Sequence, residues 1–211
     1  MYHYIVPKIS ILITNHNYGK YLGRCLRSIL SQDFPREDYE IVVVDDGSTD
    51  DSHIVYQIFK EDITLVALPQ QVGLPKALNF GLKKCKGQYI VRVDADDFIH
   101  SLFLKVLYTT HQFTENIYDA VSCDYFRVSE NGKRSKIVSA KKYPIACGVM
   151  FKSETFELLG AYKEELEFGE EVEFMDRFHA NNLKLYPVNL PLYRYVDHGN
   201  SLSDFHKKSL K

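Results

Sequence analysis

The chain has 211 residues, of which 45% are hydrophobic and 26% are charged, and these values predict one globular domain with a substantial core. The formal net charge of −2 argues against a nucleic-acid-binding protein, because such proteins need a clustered excess of lysine and arginine. No run of about 18 apolar residues occurs, and the four cysteines form no CxxC pair. Membrane spans, a secretion signal, a zinc site and a redox pair are therefore not predicted, and a cytoplasmic protein with reduced thiols is expected.

Strands alternate with helices over the first hundred residues. Apolar spacing of three and four residues predicts helices at about 21–30 and 74–85, and Ser48 with Asp51 resembles a capping box that starts another helix. Short β-branched runs predict four buried strands, at residues 9–14, 40–44, 63–68 and 88–93. This alternation predicts a mostly parallel sheet with helices on both faces, and ligands of such sheets bind at the carboxyl ends of the strands.

The second half of the chain shows a looser pattern. Residues 129–142 are polar and basic, which predicts a mobile loop or a hairpin. The other predicted elements are helices at 102–111, at 153–159 and from about residue 170, and strands at 120–128, 149–151, 183–188 and 192–196. We expect this half to form a smaller mixed region beside the parallel sheet.

Three carboxylates follow the predicted strand at residues 88–93. Asp94, Asp96 and Asp97 lie so close together in the sequence that they would repel one another unless a cation is bound. Oxygen ligands of this kind suit Mg²⁺ or Mn²⁺ on a nucleotide diphosphate. The alternative is an acidic turn that caps the following helix.

Two more acidic residues, Asp45 and Asp46, follow the strand at 40–44, at the same predicted edge of the sheet. One of them could accept hydrogen bonds from a base or a ribose, although the sequence Asp-Asp-Gly-Ser also describes many ordinary turns. Lys76 and Arg92 could pair with phosphates, although single basic residues are most often surface charges. The two acidic strand ends together favour a nucleotide-binding edge.

Glu170 and Glu171 open an amphipathic helix after Gly169. A carboxylate at this position could deprotonate an acceptor hydroxyl, but acidic residues are also favoured in any first helical turn because of the helix dipole. His198 lies in a predicted exposed turn, where it is either a ligand or a solvated polar residue.

Several segments resemble, in order and spacing, the motifs of family 2 of the inverting glycosyltransferases, which have the GT-A fold. Five of them are residues 7–17 (PKISILITNHN), 41–50 (IVVVDDGSTD), 73–81 (GLPKALNFG), 94–97 (DADD) and 168–174 (FGEEVEF). A sixth, residues 193–203 (YRYVDHGNSLS), is similar to the segment that often closes the domain. The resemblance implies a single Rossmann-like α/β domain over 1–211, with a nucleotide-binding half at about 7–100, an acceptor-side half at about 101–203 and a short basic tail at 204–211.

The resemblance also implies roles for individual residues. Glu171 occupies the position of the catalytic base, where the family usually has Glu-Asp and this chain has Glu170-Glu171. The implied donor contacts are Thr14, Asn17, Asp45, Asp46 and Asp94, with Lys76 as a further candidate, and the implied ligands of Mn²⁺ or Mg²⁺ are Asp96 or Asp97, and His198.

The activity implied is the transfer of one hexosyl or N-acetylhexosaminyl group from a nucleotide sugar, expected to be a UDP-sugar, with inversion. A bacterial surface glycan, lipid-linked glycan or glycoprotein is the expected acceptor, with at most peripheral contact at the inner face of the membrane. Processive synthases are not expected, because their Gln-x-x-Arg-Trp motif is missing and the chain has no Trp. A sugar-phosphate nucleotidyltransferase and a non-catalytic sugar-nucleotide binding module remain the alternatives.

Overall fold

A computed structural model describes residues 6–142, 145, 147–167 and 169–198. The first half of the chain forms a parallel sheet in the order β3-β2-β1-β4. Its strands are β1 (Ile9–Asn15), β2 (Tyr39–Asp45), β3 (Thr64–Ala67) and β4 (Tyr89–Arg92), and its helices are α1 (Gly19–Leu30), α2 (Ser52–Ile58) and α3 (Leu74–Leu82). The predicted strands and helices of this half are confirmed.

Helices cover both faces of this sheet because its central strands are apolar on both sides. Ile11 and Ile13 of β1 belong to the cluster that contains the buried face of α1, whereas Leu12 belongs to the cluster that contains Ala77 and Leu78 of α3. Short β-branched strands buried on both faces are typical of parallel sheets. The parallel pairing brings the ends of β1, β2 and β4 to one edge, as predicted.

The second half extends the sheet in the order β4-β8-β6-β9-β5, with β7 paired to β6. β8 is antiparallel to both β4 and β6, and β9 is parallel to β6 and antiparallel to β5. The bounds are β5 (Phe98–Ile99), α4 (Phe103–Phe113), β6 (Ala120–Ser129), β7 (Arg134–Val138), β8 (Val149–Lys152), α5 (Ser153–Leu159), α6 (Glu170–Ala180) and β9 (Leu185–Asp197). This half is the mixed region that the sequence predicts, and β6 with β7 forms a hairpin over much of 129–142.

Two predicted strands, at 183–188 and 192–196, are one strand in the structure. β9 runs through both, and its pairing with β6 shifts from Cys123 opposite Val188 to Asp124 opposite Pro191. The two residues between Val188 and Pro191 are accommodated at this irregularity, where Pro191 has no N–H to donate to a ladder.

The predicted capping box is also wrong. α2 begins at Ser52 with Asp51 at its N-cap position, and no side chain there accepts the capping hydrogen bond. The Ser48 hydroxyl instead accepts a hydrogen bond from the main-chain N–H of Asn17 at 3.0 Å. Ser48 therefore connects the loops after β1 and β2 rather than starting the helix.

Within the described ranges, no helix is long and apolar enough to cross a membrane. The predicted basic tail at 204–211, the last residues of the 193–203 segment and Phe168 lie outside the described residues.

Candidate active site

The loops after β1 and β2 are tied together by a buried amide. Asn15 ends β1 beside Asp45 of β2, and its Nδ2 lies 3.1 Å from Ser48 Oγ, 2.9 Å from Ser52 Oγ and 2.7 Å from Tyr56 OH. These contacts fix the first turns of α2 against the sheet edge. Asn15 is not among the site residues predicted from the sequence, although a polar residue directly after a buried β-branched run is a signal that could have identified it.

Asp46 is buried and holds the loop before α3. Its Oδ1 accepts the N–H of Val72 at 2.7 Å, and its Oδ2 accepts the N–H of Gly73 at 3.0 Å. Both oxygens are thus engaged by main-chain groups. Lys76 lies exposed in the first turn of α3, so this loop places one exposed cation near the predicted nucleotide edge.

The other predicted nucleotide contacts line the same edge. Asp45 is half-buried and accepts the N–H of Ser48 at 3.1 Å through Oδ1, and Thr14 is half-buried opposite Val44. Asn17 is exposed with a positive φ of 60°, and its Oδ1 accepts the N–H of Thr49 at 2.8 Å. The structure therefore brings these predicted residues together at the ends of β1 and β2.

The acidic turn after β4 is linked to α6 by one arginine. Arg92 Nε lies 2.7 Å from Asp94 Oδ1, and its Nη1 lies 2.9 Å from Glu170 Oε1. The arginine side chain is 11% exposed and the glutamate side chain is 2% exposed, so both partners are largely desolvated and each needs the other. Arg92 is an internal bridge between two predicted site segments rather than a surface charge.

Asp97 points away from solvent. It is 1% exposed, its Oδ1 accepts the N–H of Val196 at 2.8 Å, and the Cys147 thiol lies 3.9 Å from its Oδ2. Burial, followed by the charges of Asp96 and Asp94, raises the pKa of Asp97 well above the ordinary range of aspartate. These contacts join β9 to the acidic turn and give Asp97 a structural position inside it.

Asp96 lies closer to solvent and meets His198. The imidazole Nε2 is 2.8 Å from Asp96 Oδ2, and the His198 ring stacks on Tyr21 at 5.1 Å between centroids. The edge of Tyr18 contacts the same imidazole at 5.7 Å. Asp96 and His198 are separated by 102 positions in the sequence but form one cluster in the structure. The two aromatic rings of this cluster, Tyr18 and Tyr21, are not among the predicted site residues.

Glu170 and Glu171 differ although they are adjacent. α6 begins at Glu170, directly after Gly169 in the left-handed region with φ 75°, and this turn buries Glu170 while leaving Glu171 half-buried. Burial, followed by the charge of Glu170, raises the pKa of Glu171, and Arg92 partly opposes the shift. The pKa of nearby Tyr162 is likewise raised, to about 12, mainly by burial. Glu171 is therefore a carboxylate whose charged form is disfavoured, next to the acidic turn.

The family described as Glycosyl transferase family 2 matches residues 10–171, which include all of β1 except Ile9, both acidic strand ends and the start of α6. The chain belongs to glycosyl transferase family 2. It is 36% identical over 126 residues to the glycosyltransferase GlyG of Streptococcus pneumoniae serotype 4, an alignment that covers 58% of this chain and 40% of GlyG. It is also 36% identical over 101 residues to the poly(ribitol-phosphate) beta-N-acetylglucosaminyltransferase TarS of Staphylococcus aureus, covering 46% of this chain and 18% of TarS.

Solved structures share the fold of this family 2 chain. TarS in complex with UDP-GlcNAc superposes with a TM-score of 0.80 at 23% identity, covering 92% of this chain and 60% of that one. The mannosyltransferase PcManGT from Pyrobaculum calidifontis, in complex with GDP-Man and Mn²⁺, gives a TM-score of 0.73 at 19% identity, covering 96% of this chain and 60% of that one. These similarities establish the predicted GT-A type of α/β fold, and the chain spans less than half the length of GlyG and of TarS.

Proposed function

We propose that this chain transfers one sugar from a nucleotide diphosphate sugar to a hydroxyl group of an acceptor glycan. One arrangement carries the proposal: Arg92 joins Asp94 at 2.7 Å to Glu170 at 2.9 Å. This bridge places the first turn of α6, with Glu171, beside the acidic turn after β4. Residues suited to holding a diphosphate and a residue suited to accepting a proton are thus held side by side.

Glu171 is the proposed general base. Burial and the charge of Glu170 raise its pKa, so this carboxylate binds a proton more readily than an ordinary glutamate does, as a general base must. Glu170 is unsuited, because it is 2% exposed and one of its oxygens is committed to Arg92. Glu171 takes the proton of the acceptor hydroxyl as that oxygen bonds to the anomeric carbon. The bond from this carbon to the diphosphate breaks, its electron pair leaves with the nucleotide diphosphate, and attack from the opposite face inverts the configuration.

Asp96 and His198 are the proposed ligands of a divalent cation. They offer an oxygen and a nitrogen 2.8 Å apart, and Mn²⁺ accepts both donor types whereas Mg²⁺ prefers oxygen. When bound, such a cation would offset the charge of the leaving diphosphate. Asp94, Asp97 and Cys147 also approach within 4.8 Å of one another. Asp97 and Cys147 are buried, at 1% and 2% exposed, and a thiol is a softer donor than the oxygen ligands that Mg²⁺ or Mn²⁺ takes on a diphosphate, so this second trio fits the proposed cation less well.

The proposed donor is a UDP-sugar. TarS was solved with UDP-GlcNAc, and its name describes transfer to poly(ribitol-phosphate), which together support a UDP-sugar and a bacterial surface glycan for this chain. Thr14, Asn17, Asp45 and Lys76 are the proposed contacts of the nucleotide, because their side chains lie at the ends of β1 and β2 or at the start of α3. The proposed location, cytoplasmic with at most peripheral membrane contact, comes from the sequence and stays a prediction.

The test combines donor binding with turnover. A thermal-shift panel of UDP-, GDP-, dTDP- and CMP-sugars with and without Mn²⁺ identifies the donor, because a ligand that binds only the native state raises the melting temperature, Tm. We expect the largest shift with a UDP-sugar plus Mn²⁺, and we expect Asp96→Asn to remove the part that depends on the metal. Equal shifts without metal would contradict the cation site.

Two measurements separate the alternatives. Robust release of pyrophosphate from a nucleoside triphosphate and a sugar phosphate would identify a nucleotidyltransferase instead. Donor binding without any hydrolysis or transfer would identify a non-catalytic binding module.

A further inference from the structure

Three arginines and two phenylalanines form a row that begins on α1 and crosses strands β5, β9, β6 and β7 of the mixed half. Phe98 of β5 pairs with Arg194 of β9, and Arg194 pairs with Phe126 of β6, so their side chains share one face. The guanidinium of Arg24 lies 4.6 Å from the centre of the Phe98 ring. The guanidinium groups of Arg194 and Arg134 lie 4.6 Å and 4.8 Å from the centre of the Phe126 ring. We call these five residues the Arg–Phe row.

The positive charge of the row has no negative partner among the described residues. No carboxylate there lies within 4.0 Å of the guanidinium nitrogens of Arg24, Arg134 or Arg194. Arg24 donates to the carbonyl oxygens of Glu130 and Asp96, each at 3.0 Å. Carbonyl oxygens satisfy donors but do not cancel charge, so a net charge of several cations remains.

Like charges in the row oppose one another. Arg194 is 5% exposed, and burial followed by the charge of Arg134 lowers the pKa of its guanidinium. Burial, followed by Arg194 and Arg134, also lowers the pKa of the neighbouring His100. Placing cations this close in a partly desolvated site is costly unless an anion is bound there.

The row leads from the proposed active site to the surface. Its inner end touches the acidic turn, because Arg24 Nη2 donates to the Asp96 carbonyl, and its outer end is the exposed Arg134 on β7. A planar guanidinium group suits two oxygens of a phosphate. We propose that the Arg–Phe row binds a phosphate group carried by the acceptor, an assignment that rests on the glycosyl transfer proposed above.

Within this site the exposed Arg134 contacts the phosphate, and the buried Arg194, which lies against the same Phe126 ring, adds to the positive potential. A lipid surface fits less well, because the two rings lie under guanidinium groups and are not available for insertion into a bilayer. The site therefore selects acceptors that carry phosphodiester groups over neutral glycans.

The test measures equilibrium binding of a fluorescein-labelled glycerol phosphate oligomer to the full chain by anisotropy at several NaCl concentrations. The variant is Arg134→Gln. The matched control is Lys136→Gln, which removes the same charge from an exposed position of the same strand, where the residue pairs with Arg127 and not with the row. Melting temperatures verify that both variants fold.

We expect Arg134→Gln to weaken binding about tenfold, as loss of a charge-assisted contact does, and to reduce the slope of log Kd against log[NaCl] by about one. Lys136→Gln should change Kd by less than about twofold. Equal effects of the two substitutions on Kd would overturn the proposal. It would also be overturned if a neutral maltooligosaccharide displaced the labelled oligomer as well as unlabelled glycerol phosphate oligomer does. A third contrary result would be that Arg134→Gln weakens binding to phosphatidylglycerol vesicles but not to the oligomer, because the partner would then be lipid.

Binding of the oligomer requires no donor, so its failure is distinct from that of the proposed function. If the wild-type chain turns over no donor while binding that depends on Arg134 persists, the phosphate site stands and glycosyl transfer fails. If donor turnover is present and Arg134→Gln binds the oligomer normally, the phosphate site fails alone.

Discussion

Carboxylate pKa values are shifted in opposite directions in two regions of the molecule, the loops after β1 and β2 and the surroundings of the acidic turn after β4. In the loop after β2, Asp50 accepts hydrogen bonds from Ser52 Oγ at 2.5 Å and from the N–H of Gly19 at 2.9 Å. Burial raises the pKa of Asp50, but these bonds outweigh it and the pKa is lowered overall. Burial and neighbouring carboxylates instead raise the pKa values of Asp97 in the acidic turn and of Glu171 in the first turn of α6.

The direction of the pKa shift distinguishes carboxylates that stabilise the fold from carboxylates that are suited to catalysis or ligand binding. A carboxylate whose charged form is hydrogen-bonded stabilises the fold, whereas one whose charged form is disfavoured costs stability and is suited to proton transfer or ligand binding. We therefore expect substitutions at the ends of β1 and β2 to reduce stability, and neutral substitutions beside the acidic turn to reduce activity at little cost in stability.

The largest effect is expected for Glu171→Gln, which keeps the shape of the side chain but cannot accept a proton. Loss of a general base lowers kcat by about 10²- to 10⁴-fold, and donor binding should persist in thermal shift. Asp176→Asn, an exposed change on the same helix, is the control. Turnover of Glu171→Gln close to that of this control would remove Glu171 from the mechanism.

The next largest effect is a loss of stability within the acidic region, because Arg92 stabilises the fold there. Arg92→Met leaves Asp94 and the buried Glu170 without their cation, and breaking a buried pair in this way costs about 3–5 kcal/mol of unfolding free energy, measured by urea denaturation. The half-exposed pair of Arg127 and Asp197 is the contrast, since Arg127→Met should cost less than about 1 kcal/mol. A similar cost for both would show that Arg92 is not a buried bridge.

Asp46→Ala should have a smaller effect on stability. It leaves the N–H groups of Val72 and Gly73 without the carboxylate that accepts from both, and hydrogen bonds to a charged group are worth about 1.5–3 kcal/mol. We expect a loss of about 2–3 kcal/mol in urea denaturation. Asp51→Ala, exposed at the N-cap of α2 without a side-chain capping bond, should be close to neutral, and an equal loss there would contradict the assigned role of Asp46.

These residues also show what the sequence can reveal. The strands before Asp45 and Asp94 were predictable, because β-branched runs that stop at polar residues depend only on local periodicity. Parallel pairing then brought both acidic turns to one edge. The bond from Asp46 to Gly73 spans 27 positions, and no local pattern indicates which of two adjacent aspartates turns inward.

The pairing of the second half was less predictable for a related reason. The strand at 149–151 was expected, but nothing in its sequence indicates that it inserts between β4 and β6 in antiparallel orientation. The sequence suggests Arg92 as a possible phosphate contact or a surface charge. Its actual partner, Glu170, is 78 positions away and could not be identified from local sequence. Side-chain periodicity defines elements, whereas buried charge pairs are defined only once those elements are packed.

The smallest predicted effect is a change in the pH dependence of Tm, which should have opposite signs in Glu171→Gln and Asp50→Asn. Because the pKa of Glu171 is higher in the folded than in the unfolded chain, the native state holds this proton more tightly, and wild-type stability falls as pH rises from the unfolded value of about 4.3 through the folded pKa. Glu171→Gln escapes this loss. It should therefore raise Tm near pH 7 relative to wild type, and the gain should vanish below the unfolded pKa. Asp50→Asn should do the reverse: since its folded pKa is lowered, the variant loses Tm at pH 7, and this loss disappears as pH falls through the folded pKa. Scanning calorimetry of both variants against wild type, from well below the unfolded aspartate value of about 3.9 up to neutral pH, would reveal the opposite signs. A common sign would mean that the two regions do not differ electrostatically in this way.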